Sequence, residues 1–358
     1  MNPPVRPYQA SKPRLHMLDA LRGVCAIMIM VYHYLSWNQI ELHQIGTFGV
    51  YIFFILSGFS MWYVYADTEL SKQSLRAFYV SRFARIFPLY LLVNWKFVSN
   101  ITSVSHAKIF IYNISFLFGF SDPGALSGVT GGWSIGIEWV FYIAFPLLWA
   151  CLSGWRTMLV LTLLALGINQ LYVASIFPEG DFGSLWVIYT QFPVFIVYFL
   201  SGILCADLFQ RFYKHQPAGL SSEQQWLARL GIVLCIFIVF FFPSKDIKDY
   251  LWGWHFPLII FLSALAVLLC AIVQDISPRG VKWCKFLGDI SFSTYLTHYL
   301  VFKHGTRIFE EYLPGTSLWL MLPVFCCITI VVAYLLFRFY EAPARKFLNR
   351  VLGGHRVH

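Results

Sequence analysis

Continuous apolar runs, separated by short polar stretches, make up most of this chain. They fall at about 16–37, 46–66, 86–104, 133–152, 157–175, 187–210, 229–243, 254–274, 288–305 and 317–340. Each is about twenty residues long, enough to cover a hydrocarbon core of roughly 30 Å at about 1.5 Å per residue. A barrel strand would instead alternate over about ten residues. The pattern therefore predicts an all-α fold, a polytopic transmembrane helical bundle of about ten spans, because a helix in lipid satisfies its own backbone. A further apolar piece at 108–120 is too short to cross comfortably. It reads as a half-helix or re-entrant segment on the outer side. No repeat or linker divides the chain, so 1–358 reads as a single integral membrane domain.

Composition supports this reading. Hydrophobic residues are 58% of the chain, aromatic residues 19% and charged residues only 12%, and the mean hydropathy is +0.65. The formal charge of +9 would suit a nucleic-acid binder. Topology explains it better, since Lys and Arg gather in cytoplasmic loops, and no nucleic-acid partner is expected. With the N-terminus inside, all but six of the 26 basic residues fall in cytoplasmic segments; the exceptions are Lys96, Lys108, Lys245, Lys248, Lys303 and Arg307. Both termini are thus expected in the cytoplasm of a multi-pass plasma membrane protein, in a bacterium the inner membrane. If 108–120 crossed fully, every basic loop from Arg156 onward would flip outward. The first apolar run carries Asp19 and Arg22 and has no small-residue cleavage site after it, so no cleavable signal peptide is expected. The eight cysteines show neither metal-ligand spacing nor a disulfide framework, and no metal is expected. The tail of about eighteen residues after the last run is too short for a second soluble domain.

Ionisable residues inside these runs are the candidates for chemistry, because they are costly in lipid. Arg22 and His33 are eleven positions apart. At about 100° per residue they share one helix face, with a rise of about 16 Å between them. Arg82 and Arg85, in SRFARIFPLY, also share a face, and paired guanidinium forks suit phosphate. The alternative is a positive-inside anchor touching lipid headgroups. Pro88 follows where the helix re-enters the membrane. Glu138 near the start of its run, His33, and His298 in ISFSTYLTHY fall into one membrane layer by helix rise. A carboxylate beside a histidine would orient and stabilise a general base. The same groups would serve as a polar clamp between helices; three at one depth favour a site. Ser57, Gly58 and Gly49 read as small residues for close helix packing. Glu341, at the inner end of the last run, would pair with Arg82, Arg85 or Arg22, or cap a surface cluster. Asp207, Asp289 and His255 lie near span ends and read as structural.

Six motifs occur in order: Arg22-x10-His33; Phe53-Phe54-Ile55-Leu56-Ser57-Gly58-Phe59; Arg82-x-x-Arg85-Ile86-x-Pro88-x-Tyr90; Trp133-Ser134-x-x-x-Glu138; Ser293-x-Tyr295-Leu296-x-His298; and Tyr340-Glu341-x-Pro343. Together they resemble the membrane-bound acyltransferase-3 family, the O-acyltransferases that modify bacterial surface polysaccharides. The likeness runs from about 15 to 345. It implies ten spans, an acyl-coenzyme A donor from the cytoplasm, and an acceptor hydroxyl often modified on the far side. It also implies that His33 is catalytic and that Arg22, Arg82 and Arg85 help hold the donor. Some members carry an additional C-terminal hydrolase-like domain, for which this tail leaves no room.

The expected function is an O-acyltransferase moving an acyl group, acetyl by preference, from acyl-CoA to a hydroxyl of a surface or lipid-linked saccharide. His33, Glu138 and His298 are the expected catalytic residues, and Arg22, Arg82, Arg85 and Glu341 the expected donor-binding ones. No permanently bound cofactor is expected. Whether His33 acts as base or forms an acyl-imidazole stays open. The rival is a transporter or flippase of a lipid-linked sugar with the same polar layer as its binding site. That rival does not require the arginine pair.

Overall fold

The computed structural model describes residues 12–95, 103–176, 182–213, 220–241 and 247–353, and the described chain is helical with no strand. Thirteen helices are numbered here: α1 His16–Ser36, α2 His43–Tyr65, α3 Lys72–Val93, α4 Val104–Ile114, α5 Gly132–Cys151, α6 Trp155–Ile176, α7 Phe182–Tyr189, α8 Phe192–Phe212, α9 Ser222–Phe240, α10 His255–Ile272, α11 Pro278–Tyr312, α12 Leu318–Leu336 and α13 Ala342–Val351. Local chemistry sets several starts. Ser71 and Ser221 close capping boxes with Ser74 and Gln224. Ser277 caps α11, with Pro278 following in the first turn. Each cap satisfies backbone N–H groups that the first turn leaves unpaired.

Eight described helical segments are long and apolar enough to cross a membrane; they contain α1, α2, α5, α6, α8, α9, α10 and α12. The other two long helices, α3 and α11, run along the same bundle but carry charges. Arg76, Arg82 and Arg85 occupy the first part of α3. In α11, Lys282, Lys285 and Asp289 precede the uncharged stretch, and Lys303, Arg307, Glu310 and Glu311 follow it. At 35 residues α11 is about 52 Å long by helix rise, so its ends extend well beyond the hydrocarbon.

Contacts fix the directions of the helices. α1 and α2 are antiparallel, with Tyr32 against Gly46 at one end and Arg22 bonded to Ser60 towards the other. α5 runs parallel to α2, since Ser57 bonds Glu138 and Tyr65 packs on Trp149. The segment between α3 and α5 begins and finishes at one end of the bundle. It comprises α4, a 3-10 turn Leu117–Phe120 and a one-turn helix Pro123–Leu126, and Gly119 packs directly against Gly136 of α5. Asn113 pins it: its side chain accepts from Tyr90 Oη and Gly128 N and donates to the Ile109 and Leu126 carbonyls. Four bonds satisfy this buried amide completely. The short apolar piece therefore does not traverse the bundle, as its length implies.

Two expected boundaries are corrected. The third run does not begin at 86. Its helix begins at Lys72, and Pro88 lies inside it. The helix absorbs the lost N–H of Pro88 within a long, packed element, so Arg82 and Arg85 stand within the helix and not in a loop before it. Residues 96–102 of that run lie outside the described residues. The ninth run, expected at 288–305, is the middle of the longer α11.

The core centres on α2, which is buried along most of its length, with α8, α1 and α10 around it. The α2–α8 contact is backbone to backbone. A Cβ on Gly58 would collide with the Phe199 carbonyl, and one on Gly202 with the Ile55 carbonyl. Small residues allow such approaches between helices in lipid. We expect Gly202→Val to force these helices apart and cost about 1–3 kcal/mol. Gly167→Ala, which meets nothing within 4 Å, should leave stability unchanged. Thermal-aggregation midpoints in detergent check this, and equal midpoints for the two variants would refute the close contact.

Candidate active site

α1 and α11 pack side by side in parallel, with Gly23 against Leu287 low in the pair. Higher up this packing joins two histidines, and His33 Nδ1 lies 2.9 Å from His298 Nε2. The imidazole planes are within 2° of each other. The indole of Trp37 lies nearly parallel to both rings, at 5.3 Å from His33 and 6.0 Å from His298. His298 is fully buried, whereas His33 is only partly so. The other ring nitrogen of His298, Nδ1, is 2.6 Å from the Tyr295 carbonyl oxygen. The His298 carbonyl accepts from Tyr34 Oη at 2.9 Å, and Tyr34 Oη is also 2.7 Å from Thr329 of α12.

Beside this pair lies a cleft with about 800 Å³ of empty space, part of it open to solvent. Its polar lining includes Arg22, Arg82, Arg85 and Glu138, with Ser57, Ser60, Tyr142 and Tyr295 among the neutral groups. Among the described lining residues Glu138 is the one carboxylate, against three guanidiniums. Arg22 donates to Ser60 at 3.2 Å and reaches Asp19 at 3.4 Å. Arg82 lies among the rings of Tyr65, Phe78 and Tyr142, and its Nε has no hydrogen-bond partner among the described residues. No ion pair involving Arg85 is found among them. A buried guanidinium edge without an acceptor is a strong site for an anion.

The structure sorts the expected residues into two groups. Arg22, Arg82, Arg85 and Glu138 share the cleft; His33 and His298 form the pair above it. The expected His33–Glu138 hydrogen bond is absent. Glu138 instead accepts from Ser57 at 3.2 Å and, through a short hydrogen bond, from Tyr142. Both partners are hydroxyls, and no ion pair between Glu138 and an arginine is found among the described residues. Glu341 is turned inward by a π-helical turn, Phe337–Glu341, and accepts from Ser293 Oγ at 2.6 Å. It is buried outside the cleft lining, and Arg85 and Arg345 bear on it electrostatically. Asp207 and Asp289 pair with Arg211 and Arg14.

Tyr295 joins the two groups. Its ring lines the cleft, lies 6.1 Å from the His298 ring, and its hydroxyl donates to the Gly131 carbonyl at 2.8 Å. Its own carbonyl holds His298. Tyr295, Tyr142 and Trp37 are site neighbours to which the sequence alone gives no role. Each stands one helical turn from a candidate residue, His298, Glu138 and His33 respectively, and that spacing is the available signal.

Residues 15–338 match the family model described as an acyltransferase domain. The chain is 25% identical over 386 residues to the acyltransferase MdmB of Streptomyces mycarofaciens, covering 94% of this chain and 93% of that protein. It is 24% identical to the peptidoglycan O-acetyltransferase OatA of Listeria monocytogenes, covering 97% of this chain but only 59% of that longer protein. It is 25% identical to nodulation protein 10 of Rhizobium leguminosarum, covering 92% of each. No solved structure matches the chain.

Proposed function

The chain belongs to the acyltransferase-domain family, and on that premise we propose that it is a membrane O-acyltransferase using acyl-coenzyme A, with acetyl the preferred acyl group. The acceptor in this reading is a hydroxyl of a surface or lipid-linked saccharide, as the name of the peptidoglycan relative suggests. One observation carries the proposal. A single cleft has three guanidiniums along it, and the ring of Tyr295 in its lining stands 6.1 Å from the ring of His298, the histidine bonded to His33. Coenzyme A is a phosphorylated nucleotide on a long arm. Arg22, Arg82 and Arg85 would hold phosphates, and the arm would run between Phe53, Phe54 and Phe292 towards the histidine pair. A flippase of a lipid-linked sugar could also use phosphate-holding arginines, but it has no need of a base beside them.

His33 would take the proton of the acceptor hydroxyl as its oxygen attacks the thioester carbon. The C–O bond forms, the C–S bond breaks, and the thiolate leaves with the proton returned from His33. Low dielectric strengthens the attraction of the arginines for the donor. Glu138 limits the net positive charge of the empty cleft without neutralising it.

The orientation proposed with this chemistry places both termini in the cytoplasm, the arginine end of the cleft inside and the 103–131 segment outside. In a background without native cysteines, Ser121→Cys should react with a membrane-impermeant maleimide in intact cells, and Glu223→Cys only after lysis. The reverse pattern would invert the site and defeat the reading.

The function itself is tested by separating binding from turnover. His33→Ala should abolish release of coenzyme A from acetyl-CoA in proteoliposomes while coenzyme A still binds. Arg85→Ala should weaken that binding by about 1.5–3 kcal/mol, and Arg85→Lys should restore only part, lacking the planar fork. Near-normal turnover in His33→Ala, or unchanged affinity in the Arg82→Ala, Arg85→Ala double variant, would contradict the assignments.

A further inference from the structure

The hydrogen bonds around the histidine pair run in one direction. A carbonyl oxygen can only accept, so the 2.6 Å contact from His298 Nδ1 to the Tyr295 carbonyl places a proton on Nδ1. The pair is held among aromatic rings, those of Trp37, Tyr32, Tyr34 and Tyr295. No ion pair to either histidine is found among the described residues. A second proton on fully buried His298 would be a charge without a counter-ion. With Nδ1 protonated and the ring neutral, Nε2 of His298 is a bare lone pair. The nitrogen 2.9 Å away, His33 Nδ1, must then donate to it. That fixes the proton of His33 on Nδ1 and leaves its Nε2 bare.

We infer that His298 is the positioning residue for His33: it receives the His33 Nδ1 proton, selects the tautomer with Nε2 free, and so makes Nε2 the atom that takes the acceptor's proton. This rests on the acyl-transfer reading above for the use of that atom, though not for the tautomer itself. The surrounding structure holds the relay rigid. Tyr34 anchors the His298 backbone to α12 through Thr329. Tyr295 is tied through its hydroxyl to Gly131 at the start of α5. Trp37 covers one face of both rings. When Nε2 accepts the hydroxyl proton, the imidazolium forms with its Nδ1–H already bonded to His298, so the new charge is shared by an oriented acceptor without any ring turning. A ring oriented before the reaction pays no reorganisation during it. The pair thus does with a histidine and a backbone carbonyl what an acid–histidine pair does with a carboxylate, in a place where a carboxylate would be costly.

The tautomer can be read without turnover. Protein labelled with 15N-histidine is reconstituted in lipid, and its solid-state NMR spectrum compared with that of His33→Gln to assign His33. A protonated Nδ1 and bare Nε2 on His33 support the inference. A protonated Nε2 with bare Nδ1, or a doubly protonated His298, overturns it. His298→Gln keeps an acceptor oxygen close to the place of Nε2, while His298→Leu removes it. His298→Gln should keep the single His33 tautomer, and His298→Leu should show a mixture. With acetyl-CoA and an N-acetylglucosamine oligosaccharide as probe acceptor, kcat should fall about 10²-fold in His298→Leu. KM for acetyl-CoA should not change, and His298→Gln should recover most of the loss. Equal loss in both variants, or a change confined to KM, overturns the positioning role. Wild-type protein that shows the expected tautomer but releases no coenzyme A would count against the acyl-transfer reading and leave the tautomer assignment standing.

Discussion

The parallel packing of α1 on α11 is the contact on which the centre of this protein depends. Two helices from opposite ends of the chain lie together, and their approach low in the pair is as close as Gly23 against Leu287 permits. That closeness brings His33 within 2.9 Å of His298 higher up. A polar group inside an apolar bundle must find a partner or pay heavily. Here each partner is used twice. The Tyr295 residue serves the cleft with its ring and the histidine with its carbonyl. The His298 residue binds His33 with its ring and Tyr34 with its backbone. Removing any one of these groups would leave another unpaired, so the network is rigid where chemistry needs rigidity.

The cleft follows a different electrostatic logic. Its lining holds three guanidiniums and one carboxylate, and that carboxylate is bonded to Ser57 and Tyr142. Nearby, Arg14, Asp19 and Asp289 pair among themselves, and Asp19 also reaches Arg22 of the cleft. Arg82 instead keeps a buried Nε unpartnered and leans on aromatic faces. Aromatic rings hold a cation in place without neutralising it. We propose that the wall is preorganised for an anion from outside the protein. The same cleft grows apolar between Phe53, Phe54 and Phe292, which suits an uncharged arm. An acyltransferase needs both characters in one channel.

Much of this was legible in the sequence. Apolar runs located the helices, and the ordered motifs led to the family that residues 15–338 match. The sequence puts Arg22, Arg82 and Arg85 together at the inner mouth, and they share the cleft, whereas Glu138, expected in one layer with His33 and His298, lies with the arginines. The partner of His33 was not legible. Depth along a helix can be read from residue number, but the rotation of one helix against another depends on packing between distant segments. Glu138 lies in the cleft below, and only the α1–α11 contact brings His298 to His33. The apolar run starting at 86, with Pro88 at its entry, hides the earlier start of α3, because burial of Ala84, Ile86 and Leu89 on both sides of the proline holds the helix together. For Trp37, Tyr142 and Tyr295 the one mark is their position one helical turn from His33, Glu138 and His298, which an aromatic residue in an apolar run often has by chance.

The central claim is that one channel joins a phosphate-holding end to the His33–His298 pair. A structure of the protein in lipid with a non-hydrolysable thioether analogue of acetyl-CoA tests this most directly. The account predicts phosphate oxygens within hydrogen-bond distance of Arg82 and Arg85. It also predicts the pantetheine arm along Phe53 and Phe292, with the acyl carbon beside Tyr295 and facing His33 Nε2. An analogue bound with its phosphates away from the arginines, or with its acyl end remote from His33, would contradict it.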